Sequence, residues 1–230
     1  MNPVLPDDAV EFGATARKAF LAFGGVDAAR AAEEDPSRRS GEVASTLTAL
    51  GIDELDPRDD ADTLAAAAAL CEEAGRVVLA YPVVAVLLRD RAGDNLPFAV
   101  VPPDRARVDH GDLFDTWRVA AIDGTAKSAN RVHSGAESAP DGTQFGRLGP
   151  FVADLELAGG VGEAGDASGD VLRSLTLTSW QILGAADRAV ELAVDHVNNR
   201  IQFGKPIATF QAVQFQLADA AVAVAGLREL

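Results

Sequence analysis

The sequence predicts a mainly α protein with a small β region in its middle, and three observations predict it. Apolar residues recur at three- and four-residue steps near both ends of the chain, most clearly in residues 61–79 and 175–227. From Asn95 to Leu157 that period gives way to short apolar runs closed by Pro102-Pro103 and Asp123-Gly124. The order is helices, then strands, then helices, which is not the strand-helix alternation of a parallel α/β sheet.

Residues 7–23 read as the first helix, with Asp7 and Asp8 at its positive end and Val10, Ala14, Phe20 and Phe23 as its apolar face. Gly24-Gly25 ends it. Short helices follow over 28–34 and 41–50, the second stopped by Gly51. After the polar loop 56–60 comes the strongest helix of the first half, 61–79, and Pro82 restarts an apolar run at 83–88. Strand candidates cover 98–101, 117–122 and 151–157, and the Gly-rich stretch 159–169 reads as a linker. A long helix then carries Leu175, Ile182, Leu183, Ala186, Val190, Val194 and Val197 on one stripe. Gly204-Lys205-Pro206 breaks it, and Phe210, Val213, Leu217, Ala221, Val224 and Leu227 mark the next. The expected organisation is an N-terminal helical domain (1–92), a reduced middle β domain (93–165) and a C-terminal helical domain (166–230) with only the first two helices of an incomplete bundle. The last stripe meets no stop signal before Leu230, which implies a fragment or a helix that docks on something else.

Composition narrows the function. About half of the 230 residues are apolar, enough for a real core, and Ala, Leu and Val favour helices packed closely. The net charge of −15 argues against nucleic acid and anionic membrane surfaces as partners, although a local arginine can still hold a phosphate. The single cysteine, Cys71, sits in an apolar helical run and reads as a buried structural thiol. No signal peptide or membrane-spanning stretch is visible, so a cytoplasmic location is expected.

Most candidate motifs are weak. Gly160, Gly162 and Gly165 match G-x-G-x-x-G, but no second strand-helix-strand unit and no acidic residue about 20 positions on accompany them. His110, His133 and His196 have no metal-ligand spacing, and His110 among Asp109, Asp112 and Asp115 reads as a solvated loop. No metal site is expected. Ser134 and Ser138 lack a nucleophile elbow.

The informative stretch is N-R-I-Q-F-G-K-P-I-A-T-F-Q-A-V-Q-F-Q-L-A-D, Asn199 to Asp219. Two helices meet there at a tight turn. Arg200 at the end of the first offers a two-pronged contact for a phosphate, and Gln202, Phe203, Phe210 and Gln211 surround the same turn. From the residues alone two readings stand: a heteroaromatic phosphate site, or an ordinary helical hairpin in which Arg200 caps carbonyls.

The same stretch resembles the hallmark turn of the acyl-CoA dehydrogenases, R-x-x-F-G-x-x-I-x-x-F-Q-x-x-x-x-x-L-A-D, over about 20 residues. Leu183-Gly184, Ala189, Leu192 and Ala193 agree in the helix before it. A second match, Cys71-Glu-Glu-Ala-Gly-Arg76 through Pro82, resembles the E-E-L-G-R…P end of that family's N-terminal helical domain. The likeness is greatest to small, divergent acyl-CoA dehydrogenase-like subunits of actinobacterial lipid and sterol catabolism. It implies an FAD held at a subunit interface between the β domain and the C-terminal helices. It also implies an acyl-CoA substrate dehydrogenated to the trans-2-enoyl-CoA, and an electron-transferring flavoprotein as electron acceptor. By position, Arg200 and Gln202 would contact the FAD pyrophosphate of a neighbouring subunit, Phe203 would pack near the cofactor, and Phe210 and Gln211 would lie on its adenosine side.

The departures are as specific as the match. The usual catalytic Glu belongs to a segment beyond Leu230, and the alternative position at the start of the first C-terminal helix falls near Arg173 and Ser174. No catalytic residue is therefore assigned. The β region also lacks the T-E-P, G-S-D and W-I-T/S flavin motifs. The resemblance thus implies a second dehydrogenase subunit, or self-association, to complete the site. The alternative is a non-catalytic scaffold with the dehydrogenase fold.

Overall fold

The structure, a computed structural model, describes residues 5–23, 25–35, 37–102, 106–131, 151–157 and 165–229. Helices α1 (Asp7–Leu21), α2 (Val26–Glu34), α3 (Ala44–Ala49), α4 (Ala61–Arg76) and α5 (Val83–Leu87) form the first half, with a π-turn over Arg39–Val43 leading into α3. A reciprocal cap starts α4. The Thr63 amide donates to Asp60 Oδ1 at 2.8 Å, and the Asp60 amide donates to Thr63 Oγ1 at 3.1 Å. The middle of α4, Ala67 to Cys71, is buried on every side.

The face of α1 that packs on α4 is Ala9, Gly13, Ala16 and Phe20, whereas Val10 is 54 % exposed and Ala14 also faces solvent. The expected stripe is displaced because close approach to α4 selects small residues: a Cβ on Gly13 would sit 3.2 Å from the Cβ of Ala69. Helix α4 also stops at Arg76 instead of running to 79. The Leu79 amide donates to Ala74 O (2.9 Å) and the Val78 amide to Gly75 O (3.0 Å), a Schellman ending that puts Val78 at φ +51°.

Five strands follow: β1 (Phe98–Val100), β2 (Arg107–Val108), β3 (Thr116–Ala120), β4 (Ala126–Arg131) and β5 (Ala153–Leu157). Their order in the sheet is β1-β3-β4-β5-β2, with β1 parallel to β3 and every other pair antiparallel. Strand β4, A-K-S-A-N-R, has no apolar alternation to betray it. It is set by the Asp123-Gly124 turn, where Asp123 Oδ1 accepts from the Thr125 amide (2.9 Å) and Gly124 takes φ +87°. Trp117, Val119, Ala129 and Leu155 make the core of the sheet.

Helix α6 (Ser168–Asn199) is 32 residues long and crosses α4 at near backbone contact. Helix α7 (Gln211–Arg228) runs back along it. Val213, Leu217, Val224 and Leu227 are half-buried in that pairing while Ala221 is exposed, and no residue of α7 is fully buried. Arg228 ties the far end of α7 to Glu72 of α4 (2.9 Å) and Asp187 of α6 (2.5 Å). Among the described residues no helix is long and apolar enough to cross a membrane. His133, Ser134, Ser138 and most of the G-x-G-x-x-G stretch lie outside the described residues.

Candidate functional site

The five residues singled out in the sequence all lie at the α6–α7 connection. Arg200 follows the last turn of α6, its amide donating to His196 O at 2.8 Å. A two-residue hairpin then pairs β6 (Ile201–Gln202) with β7 (Lys205–Pro206). Phe203 and Gly204 form its tip at φ +53° and +77°, the double left-handed turn that suits a two-residue loop between twisted strands. Gly204 meets that demand freely; Phe203 meets it at a steric cost and is left 91 % exposed. Its ring meets Phe210 edge-on at 6.2 Å, and Lys205 Nζ lies 4.6 Å over the Phe210 ring.

Arg200, Gln202 and Gln211 are exposed, and their side chains make no hydrogen bond or ion pair among the described residues. The Arg200 guanidinium therefore does not cap the carbonyls of α6. The hairpin presents a free guanidinium, free amides and an aromatic edge beside the N-terminus of an 18-residue helix, whose dipole adds positive potential. Such a donor set has the chemistry to hold a phosphate and an aromatic ring, and it is open to solvent.

A cleft of about 400 Å³ lies beside the first half of α6, between Tyr81, α5, β1, β2 and α6. Ser174 lines it and is buried; the neighbouring α6 positions Leu175, Thr178 and Gln181 complete that wall. Asp109 is the carboxylate among the lining residues. The buried carboxylate of α6 is Asp170, one turn before Ser174. It accepts from Arg58 Nε at 2.8 Å and from Arg118 Nη1 at 2.7 Å. Burial pushes its carboxyl up, but the two guanidiniums outweigh burial and hold it below the ordinary carboxylate range. Paired in this way it joins loop, sheet and helix and is no proton acceptor.

His110 corrects the expectation of a solvated loop. It is half-buried, lines the cleft, stacks on Phe151 (centroids 5.0 Å apart) and has Nδ1 2.9 Å from Arg39 Nη1. Arg39, 1 % exposed, also pairs with Asp112 and lies 3.9 Å over the Phe151 ring. Nothing in the spacing of the sequence brings Arg39 and His110 together; only the packing of the π-turn on the sheet does. Burial, then the Arg39 charge, lowers the His110 imidazole to about 4 against an opposing pull from Asp112. The unfolded chain, with an ordinary value near 6.5, binds the proton first as pH falls. His110 should therefore cost stability progressively from about pH 6.5 down to about pH 4, on the order of 3 kcal/mol across the window. Denaturant midpoints at pH 7 and 4 for wild type and His110→Gln check it: the variant should lose that component of the acid sensitivity.

The family model described as the acyl-CoA dehydrogenase C-terminal domain matches residues 174–230, from the second turn of α6 through the connecting turn and α7. Residues 174–230 thus match the C-terminal domain of the acyl-CoA dehydrogenases. The chain is 29 % identical over 184 residues to the acyl-CoA dehydrogenase IpdE2 of Mycobacterium tuberculosis, a match covering 72 % of this chain and 54 % of that protein. The chain thus spans about half the length of that curated relative. The fold recurs in the ChsE4-ChsE5 complex from Mycobacterium tuberculosis, with a TM-score of 0.66, 18 % identity, and 99 % of this chain and 77 % of that one covered. It recurs also in a glutaryl-CoA dehydrogenase from Mycobacterium smegmatis in complex with FADH2, with a TM-score of 0.63, 16 % identity, and coverage of 97 % and 74 %.

Proposed function

We propose that this chain is a member of the acyl-CoA dehydrogenase family and acts as a subunit of an FAD-dependent acyl-CoA dehydrogenase of lipid or sterol side-chain catabolism, and that the enzyme is heteromeric. The observation that carries the reading is the unpaired Arg200–Gln202–Phe203 hairpin beside the start of α7. In this reading Arg200 and Gln202 bind the pyrophosphate of an FAD seated against a neighbouring subunit. Phe203 covers the cofactor, and Phe210 and Gln211 flank its adenosine. Bound flavin would accept the β-hydride of an acyl-CoA thioester as the α-proton leaves, giving the trans-2-enoyl-CoA, with an electron-transferring flavoprotein as the onward acceptor. The part of this chain is to bind and orient; the position that resembles a base site carries Ser174, so a partner supplies the base. A relative whose solved structure is a two-component complex supports the heteromeric form.

Arg200→Ala should lower the flavin-to-protein ratio of the chain purified with its co-expressed dehydrogenase partner at least fivefold, read from the visible absorption spectrum, while complex size is unchanged. Unchanged flavin content would overturn the assignment. The scaffold reading rests on the immobilised Asp170 and the serine at position 174; it predicts no change in partner turnover for the same variant.

A further inference from the structure

A second cavity, of about 230 Å³, lies among α1, α2, the π-turn and the end of α4, away from the hairpin. Phe20 and Phe23 form one wall and the 77–80 segment another. The third is α2, which offers Ala28, Ala31 and Ala32 where larger side chains would fill the space. The polar group in its depth is the Arg39 guanidinium, already engaged by His110, Asp112 and the Phe151 ring. The other charged lining residues, Asp27, Arg38 and Glu42, are exposed. The interior therefore favours a neutral occupant.

Two further features set this cavity apart from a packing defect. Val78 holds φ +51° at the Schellman position usually given to glycine. A β-branched residue in that region is strained, and such strain gathers at ligand clamps and switches. The wall on the side of the cleft is also thin. Ala80 lines the cavity and the adjoining Tyr81 lines the cleft; Arg39 lines the cavity and its partner His110 lines the cleft.

We propose that this cavity binds a neutral hydrocarbon group the size of one aromatic ring or a short alkyl chain, separately from the flavin hairpin. Enclosed apolar cavities of about 150 Å³ already take up benzene; this one is larger and opens to solvent beside Asp27, Arg38 and Glu42, which gives a ligand a way in.

The test is titration of the purified chain with toluene, followed by methyl resonances and by thermal denaturation. Saturable shifts at Ala28, Ala31, Val77 and Val78 with a rise in Tm are expected. Ala28→Leu, which fills the cavity, should weaken toluene binding at least tenfold without lowering the Tm of the unliganded protein; Ala31→Val, a smaller filling, should weaken it less. Wild type without saturable shifts up to the solubility of toluene, or both variants binding as wild type does, would overturn the proposal. So would binding of hexanoate but not toluene, since that places an anion at Arg38. The flavin ratio of Ala28→Leu should match wild type, so this test stands whatever the outcome for Arg200.

Discussion

Gly184→Ala should destabilise the protein by about 3 kcal/mol or more, a drop in Tm of roughly 6–12 °C for a chain of this size. A Cβ at position 184 would sit 1.8 Å from the carbonyl oxygen of Glu72, and one at Gly75 would sit 1.9 Å from the carbonyl oxygen of Gln181. The obstacle is backbone in both cases, so no side-chain rotation relieves it and the helices must separate. Their separation would loosen the main helix–helix contact of the molecule, where Glu72 and Asp187 also hold Arg228. Gly75→Ala should have a similar effect. The double variant should cost less than the sum of the singles, because once α4 and α6 have moved apart the second methyl finds room. Thermal denaturation of the three variants checks this, and full additivity would mean that the two clashes are relieved independently.

That crossing also marks how far the sequence could be read. The E-E-A-G-R stretch and the Leu183-Gly184 pair are legible as family motifs, but the reason for their glycines, two helices meeting backbone to backbone, is a property of the pair. Long apolar periods place α4 and α7 within a few residues of their observed bounds, since a stripe recurring every three or four residues survives local noise, whereas the stripe of α6 begins only at Leu175 and misses its first two turns from Ser168. Size defeated the same rule in α1, where Gly13 and Ala16 face the core and Val10 does not. Strand β4 was invisible because it buries only two alanines. At the hairpin, residue order alone places Arg200, Gln202, Phe203, Phe210 and Gln211 around one turn. Whether the Arg200 side chain was spent on carbonyls or left free needed the fold, and it is free among the described residues. The Arg39–His110–Asp112–Phe151 cluster had no sequence signature at all, its members lying 71 residues or more from Arg39.

Arg39→Ala should rank with the glycine variants, costing about 3–5 kcal/mol. The guanidinium is 1 % exposed and is the cation for Asp112, whose Oδ1 is buried without a hydrogen-bond partner among the described residues. Removing it leaves that carboxylate beside the His110 imidazole without its cation, and also strips the Phe151 ring of the cation stacked on it. Arg39→Met, which keeps most of the bulk, should recover little, because the loss is of charge pairing and not of volume. The double variant Arg39→Met with Asp112→Asn should recover more than either single variant allows, since no uncompensated charge then remains buried. Removing Arg39 also withdraws one of the two influences that depress His110, so the imidazole should titrate above its present value of about 4 in any variant that still folds. The acid-sensitive window of stability should then narrow from its lower end toward pH 6.5, because the folded and unfolded protonation equilibria approach one another. Denaturant titrations of the double variant at pH 7, 5.5 and 4 read both effects at once. A double variant no more stable than Arg39→Met would place the stabilising role of Arg39 in its contacts with the Phe151 ring and His110 instead of with Asp112.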